Sequence, residues 1–247
     1  MATHPSLSLL APVSTSPVPA FDRPRLERAV REMLLAIGED PAREGLAETP
    51  ARVARAWQEL FAGLAEDPGI HLARTFEQES EDLVTLADIE FTSFCEHHLL
   101  PVFGRAHIAY LPSRRRVVGL SKLARTVEVF ARRPQLQERM TAQIADALME
   151  HLEPEGALVV VEAEHMCMKM RGVRKQQPWM KTLAARGRMR DDAVLSKLDI
   201  SQSGRFYRYR WSGPPPIPPD DIVRSSANMH MVPSNSAIAA ALDAIDA

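Results

Sequence analysis

Cysteine is scarce in this chain: of 247 residues only Cys95 and Cys167 are thiols. A pair so sparse and so far apart makes no disulfide framework. It points to a reducing, cytoplasmic setting, where thiolates stay free to hold metal. Charge imbalance is also lacking, since 30 basic and 32 acidic side chains leave a net −2. That gives no global pull toward nucleic acid or a membrane surface, and neither is expected as a partner. No apolar run is long enough to span a bilayer. The early Ser6-Leu7-Ser8-Leu9-Leu10 stretch has no basic leader, so no secretory signal is read there. Apolar side chains are plentiful, at 45% of the chain, which is ample for one ordinary domain with extensions. Residues 1–21, rich in Ser, Pro, Thr and Ala, bury too little to repay their ordering entropy and read as a flexible tail.

The two thiols keep chemical company. Cys95-Glu96-His97-His98 sets a soft sulfur, a carboxylate and two imidazoles side by side, and His165-Met166-Cys167 repeats the His/Cys pairing. Residues three apart share one side of a tight turn or first helical turn. Cys95 and His98 are therefore placed to grip one ion, with Cys167 delivered by folding. Two thiolates and one imidazole suit Zn2+, and three protein ligands leave a fourth position open, as in a catalytic site. The plainer reading makes both Cys buried, inert hydrophobes. The doubled His/Cys pairing favours metal.

Along the chain, Asp22 is a plausible N-cap. Leu26, Val30, Met33, Leu34 and Ile37 form an apolar helical stripe ended by Gly38. Thr49-Pro50 opens a second helix, with Thr49 as cap and Val53, Trp57 and Phe61 on its buried face. Arg52 and Arg55, three apart, are either solvated surface or a phosphate-binding pair. Residues 62–80 read as loop. Residues 83–94 read as a strand leading into Cys95, and residues 106–111 as a returning strand in which His107 is structural. Ser121 is expected to cap a helix whose first turns hold Lys122 and Arg125. That is an anion site or ordinary capping with surface charge. A long helix is expected over 134–151. Near its start, the amide and carboxylate of Gln137-Glu138 match the donor edge of a purine, although such pairs are commonplace on surfaces. Residues 158–163 are the clearest strand. Continued outward, it puts His165, Cys167, Lys169 and Arg171 on one face.

These segments together resemble the GTP cyclohydrolase I family. The carrying motifs are Gly38-Glu39-Asp40-Pro41 with Glu48-Thr49-Pro50-Ala51-Arg52, Cys95-Glu96-His97-His98-Leu99-Leu100-Pro101, Val118-Gly119-Leu120-Ser121-Lys122, Pro134-Gln135-Leu136-Gln137-Glu138-Arg139 and His165-Met166-Cys167-Met168-Lys169. They occur in family order over about residues 26–175. The resemblance implies that Cys95, His98 and Cys167 bind zinc and that His97 and His165 transfer protons. Glu138, helped by Gln137, would recognise guanine. Ser121, Lys122, Arg125 and Arg171 would hold ribose and triphosphate, while Arg52 and Arg55 would come from a neighbouring subunit. The implied reaction opens the imidazole ring of GTP at C8, releases formate and gives 7,8-dihydroneopterin triphosphate. The implied fold is α+β, the tunnelling fold: N-terminal helices, then an antiparallel sheet with two helices packed on it. The family assembles such subunits into a barrel, a toroidal homodecamer.

The resemblance weakens after Lys175. Pro178 cannot donate to a sheet ladder and belongs at an edge or outside a strand. Asp191, Val194, Leu195 and Leu198 suggest a terminal helix, which puts the family-like domain at 22–200. Residues 201–247 read as an atypical, poorly ordered tail. The departure leaves a second reading open, a non-catalytic zinc-binding or regulatory subunit.

Overall fold

The computed structural model describes residues 20–79, 82–190, 198–203 and 206–211, the last two segments as backbone. The chain divides into two compact units, with the boundary between Asp67 and Pro68.

The first unit is a helix pair, α1 (Arg23–Ala36) packed on α2 (Thr49–Leu60), followed by a 3-10 turn at Ala62–Ala65. Asp22 caps α1 as its sequence position suggests, with Oδ1 accepting from the Arg25 N–H at 2.9 Å. Gly38 stops the helix by taking a left-handed φ of +88°. The second helix starts one residue earlier than expected. Glu48 is its N-cap without a side-chain cap, so Thr49 lies inside the first turn rather than capping it. The apolar stripe of α1 is only partly used, because Val30 is buried while Met33 and Ile37 are 60% and 74% exposed.

The second unit is built on a five-stranded sheet. Its elements are α3 (Gly69–Leu72), β1 (Thr75–Glu77), β2 (Val84–Cys95), β3 (Pro101–Leu111), β4 (Arg116–Val118), α4 (Leu120–Ala131) and β5 (Pro134–Gln135). They continue with α5 (Gln137–His151), β6 (Gly156–His165), α6 (Met166–Lys169) and β7 (Met180–Gly187). The sheet order is β5-β2-β3-β6-β7, antiparallel except for the parallel β5–β2 pair. α4 packs on β2, and α5 packs on β6 and β7. Leu123, Val127, Ile144 and Leu148 of the two helices are fully buried with Val159 and Val161 of β6 in one core. Each such side chain contributes about 1.5–3 kcal/mol by leaving water. On the opposite face a row of alternating charge crosses four strands in register: Glu90, Arg105, Glu162 and Lys181.

Several local expectations change. Residues 62–80 are not one loop, since α3 forms and β1 pairs with β4, a partner some forty residues away. Residues 134–136 are not helix, because β5 pairs with the end of β2, so α5 begins at Gln137. Gly119, not Ser121, is the N-cap of α4. Pro178 lies outside the sheet, and β7 begins two residues later and pairs with β6 over eight residues. Leu198 opens a strand rather than a helix: Leu198–Ser203 (β8) pairs with Phe206–Trp211 (β9), so part of the expected C-terminal tail is a hairpin. Asp191, Val194 and Leu195 lie outside the described residues, as do 1–19 and 212–247.

His107 is structural, as its strand position suggests. The β2–β3 register slips between Leu86 and Ile89, where Asp88 takes a φ of 57°. Such a bulge strands a backbone donor, and His107 Nδ1 accepts the Asp88 N–H at 3.2 Å. Burial lowers the His107 pKa from 6.5, against the opposing pull of Asp88. The folded chain therefore keeps this ring neutral at a pH where the unfolded chain protonates it. Its stabilising effect is complete above pH 6.5 and is lost as pH falls from there toward the depressed folded value. Urea midpoints should drop as pH falls below about 6.5, and less steeply in His107→Gln, which keeps an acceptor but cannot titrate. Parallel losses in both proteins would contradict this account.

Candidate metal centre

β2 and β3 are joined by a turn that the metal motif itself makes. The Cys95 N–H donates to Leu100 O at 2.9 Å, and the Leu99 N–H donates to Cys95 O at 2.8 Å. Leu99 takes the left-handed φ of 50° that closes the turn. His98 is thereby folded back over Cys95, with Nδ1 3.7 Å from Sγ. His97 Nδ1 lies 3.9 Å from the same sulfur.

The third candidate ligand, Cys167, arrives differently from the sequence expectation. β6 ends at His165, and the chain then makes the single turn α6. Cys167, Lys169 and Arg171 therefore do not share a strand face with His165. Lys169 folds back to pair with Glu164. Arg171 places Nη1 2.9 Å from His98 Nε2. The turn returns Cys167 to the β2–β3 loop, so the ligand atoms of Cys95, His98 and Cys167 all lie within 4.8 Å of one another.

This donor set fits a metal ion. Zinc bonds of about 2.3 Å to sulfur and about 2.0–2.1 Å to nitrogen put tetrahedral S and N ligands about 3.6 Å apart. The Cys95–His98 separation of 3.7 Å agrees with that. Burial pushes the Cys167 thiol up, the neighbouring Cys95 adds to this, and Arg171 opposes it. A thiol in such a place gives up its proton to a cation, because the cation's charge outweighs the burial.

Glu96, within the motif, is tied to α5 by a bidentate ion pair with Arg139 at 2.5 and 3.2 Å. The Arg139 hydrogen bonds hold its carboxyl below the usual range. Glu96 is thus held at both its side chain and its backbone, since its N–H also donates to Gln135 O at 3.1 Å.

The start of α5 supplies the neighbours of His165. Burial lowers the pKa of this half-buried imidazole, and the charge of the exposed Glu138 opposes the shift. Gln137 is buried, with Oε1 2.9 Å from His165 Nε2. Its amide nitrogen donates to Val161 O, Met180 O and Thr182 Oγ1 at 3.0, 3.1 and 3.2 Å. Nothing in the sequence marked Thr182 as a supporting residue, since it lies 45 positions from Gln137 in the segment that departs from the family pattern.

The remaining candidates are more loosely placed. Ser121, Lys122 and Arg125 occupy the first two turns of α4, with Ser121 and Arg125 exposed. Arg52 and Arg55 are exposed on α2, in the other unit.

Comparison with known proteins gives a consistent picture. The family model described as GTP cyclohydrolase I matches residues 26–202. A curated GTP cyclohydrolase 1 of Desulforamulus reducens is 60% identical over 167 residues, 68% of this chain and 89% of that protein. Those of Carboxydothermus hydrogenoformans and Thermobifida fusca are 61% and 60% identical, over 67% and 69% of this chain and 86% and 83% of theirs. Among solved structures, an apo archaeosine synthase QueF-Like covers 44% of this chain and 97% of its own at 16% identity. Its TM-score is 0.37. The motif order, the gathered thiols and imidazole, and identity near 60% across most of the relatives' length meet in one conclusion: the chain belongs to the GTP cyclohydrolase I family.

Proposed function

We propose that this protein is a zinc-dependent GTP cyclohydrolase I. It opens the imidazole ring of GTP hydrolytically at C8, releases formate and forms 7,8-dihydroneopterin triphosphate. The observation that carries this reading is the convergence of Cys95, His98 and Cys167, brought together from two distant loops, with His97 Nδ1 3.9 Å from Cys95 Sγ and His165 two residues before Cys167.

Cys95, His98 and Cys167 would hold the zinc, which supplies Lewis-acid activation of water at neutral pH. His97 and His165 move protons during attack and ring opening, a task suited to imidazoles near neutrality. The exposed Glu138 carboxylate, at the start of α5, accepts from the guanine N1–H and exocyclic amine together. Gln137 stands behind it, with its amide turned into the protein. Ser121, Lys122, Arg125 and Arg171 hold the ribose and triphosphate, and this remote binding energy positions the base for reaction.

Residues 22–200 form the working domain in this reading, and the setting is cytoplasmic. Zinc is the expected metal because two thiolates and one imidazole are a soft donor set. No described helix is long and apolar enough to cross a membrane. The domain works as a homo-oligomer with the family's tunnelling fold, a toroidal decamer in which Arg52 and Arg55 reach a neighbour's triphosphate. Two features support assembly. The outer edge of β7 has no strand partner among the described residues, and free edges invite pairing. Met33 and Ile37 leave apolar surface uncovered on α1.

The test is a product assay. Zinc-loaded protein incubated with GTP should yield formate and dihydroneopterin triphosphate in equal amounts. Recovery of unchanged GTP from assembled, zinc-replete protein would overturn the assignment.

A further inference from the structure

The residue beside Glu138 has a second place in the site. Gln137 is 3% exposed, and its side-chain amide is surrounded by protein on every side that makes a hydrogen bond. Val161 O and Met180 O are carbonyl oxygens and can only accept. The group facing them must therefore be the amide NH2, not the amide oxygen. The hydroxyls nearby fix the rest of the pattern. Thr141 Oγ1 donates its one hydrogen to Gln137 O at 2.7 Å. Thr182 Oγ1, 2.6 Å from Thr141 Oγ1, must then donate to it. Having spent its hydrogen, Thr182 Oγ1 accepts from the Gln137 amide. The circuit runs in one direction only, from amide to Thr182, to Thr141 and back to the Gln137 backbone.

This orientation leaves Oε1 as the atom facing His165 Nε2 at 2.9 Å. Oε1 can only accept, so Nε2 must carry hydrogen. We propose that Gln137 is a positioning residue that fixes His165 in its Nε2–H tautomer, so that Nδ1 is the ring atom that accepts and returns the proton. This rests on the reading of His165 as a proton-transfer residue, and it gives Gln137 a role distinct from reading the guanine. When water attacks, one O–H bond breaks and its proton forms an N–H bond at Nδ1. The ring is then a cation, and its retained Nε2–H bond to Oε1 becomes charge-assisted. The same proton leaves from Nδ1 to a nitrogen of the opening ring, which restores the neutral tautomer. The strand β7 supplies two of the three groups that lock the amide, so this segment serves the site although it departs from the family pattern.

Two readouts test the proposal. The first is the 15N spectrum of His165 in histidine-labelled protein, which needs no turnover and so survives a wrong substrate assignment. Nε2 is expected to be protonated in the wild type, and Gln137→Met should give a mixture of tautomers. A wild-type ring protonated at Nδ1 alone overturns the proposal. The second is kinetic. Gln137→Met should lower kcat about 10- to 100-fold, the usual cost of removing a group that orients a working side chain. KM and the equilibrium affinity for GTP should stay within about threefold, well inside that loss. A rise in KM with kcat held would make Gln137 a base-reading residue and overturn the proposal, as would no change in either. If Gln137→Met does not fold, the wild-type spectrum carries the test on its own: Nε2–H is the expected state, and a ring protonated at Nδ1 alone, or a mixture of the two tautomers, overturns the proposal.

Discussion

Cys167→Ser should cost the protein its metal and lower GTP turnover by at least about a thousandfold, beyond the ten- to hundredfold typical of removing a group that merely supports a ligand. The reasoning begins with how the site is assembled. Cys95 and His98 come from one tight turn and hold the same relative position whenever that turn closes. Cys167 comes from a separate loop, after β6, and completes the set of three. Without it two protein donors remain, and a serine hydroxyl at neutral pH offers neither the charge nor the softness of a thiolate. The fold should survive, because Cys167 is only half-buried and the core beneath it is formed by β2, β3, β6, α4 and α5. Metal content per chain, thermal unfolding and formate release, measured on one preparation, separate the possibilities. A folded variant that retains its metal and its turnover would remove Cys167 from the ligand set.

His165→Gln should lower kcat by roughly 10²–10⁴, the range expected when a positioned acid–base group is lost. Its metal content should stay at the wild-type level. His165 ends β6 two residues before Cys167, so the metal measurement is an essential part of the result. The imidazole is half-buried beside Gln137 and within the field of Glu138. Glutamine keeps a polar side chain of similar reach but has no titrating nitrogen. A large kcat loss with metal retained assigns the chemistry to the ring. Equal loss of metal and turnover would instead make His165 a support for the site.

The two predictions draw on very different amounts of sequence information. Cys95 and His98 were legible because an i, i+3 spacing within a turn is a local property. The backbone bonds that close the turn involve residues between Cys95 and Leu100. The nearness of Cys167 to Cys95 and His98 was legible, but not the route by which it arrives. Alternation along a strand predicts a shared face with His165, whereas the strand ends and a single helical turn carries Cys167 back. Strand periodicity cannot announce its own end when the residues that follow are Met, Cys and Lys. The start of α5 was misplaced for a related reason. Pro134 and Gln135 suit a helix start locally, and only their pairing with Phe94 and Cys95, some forty residues earlier, makes them a strand.

The surroundings of Gln137 were the least legible part. Its helix position and its neighbour Glu138 suggested a role on the substrate. What turns its amide inward is a set of partners on β6 and β7, and the β7 partners lie beyond Pro178, where the family pattern breaks. The proline removes one donor from a position that the sheet does not use, and the strand simply begins at Met180. Pro178 therefore falls outside the ladder, while the departing segment's last residues, Met180 to Thr182, pair with β6 and support the site.

The measurement that bears most directly on the whole account is metal removal and return. The protein would be stripped with a chelator, confirmed to keep its fold and assembly, and given GTP before and after stoichiometric zinc is restored. The account predicts no formate from the stripped protein and full recovery of formate and dihydroneopterin triphosphate on zinc addition, with no recovery in Cys167→Ser. Turnover that persists without metal, or its absence from assembled, zinc-replete protein, would contradict it.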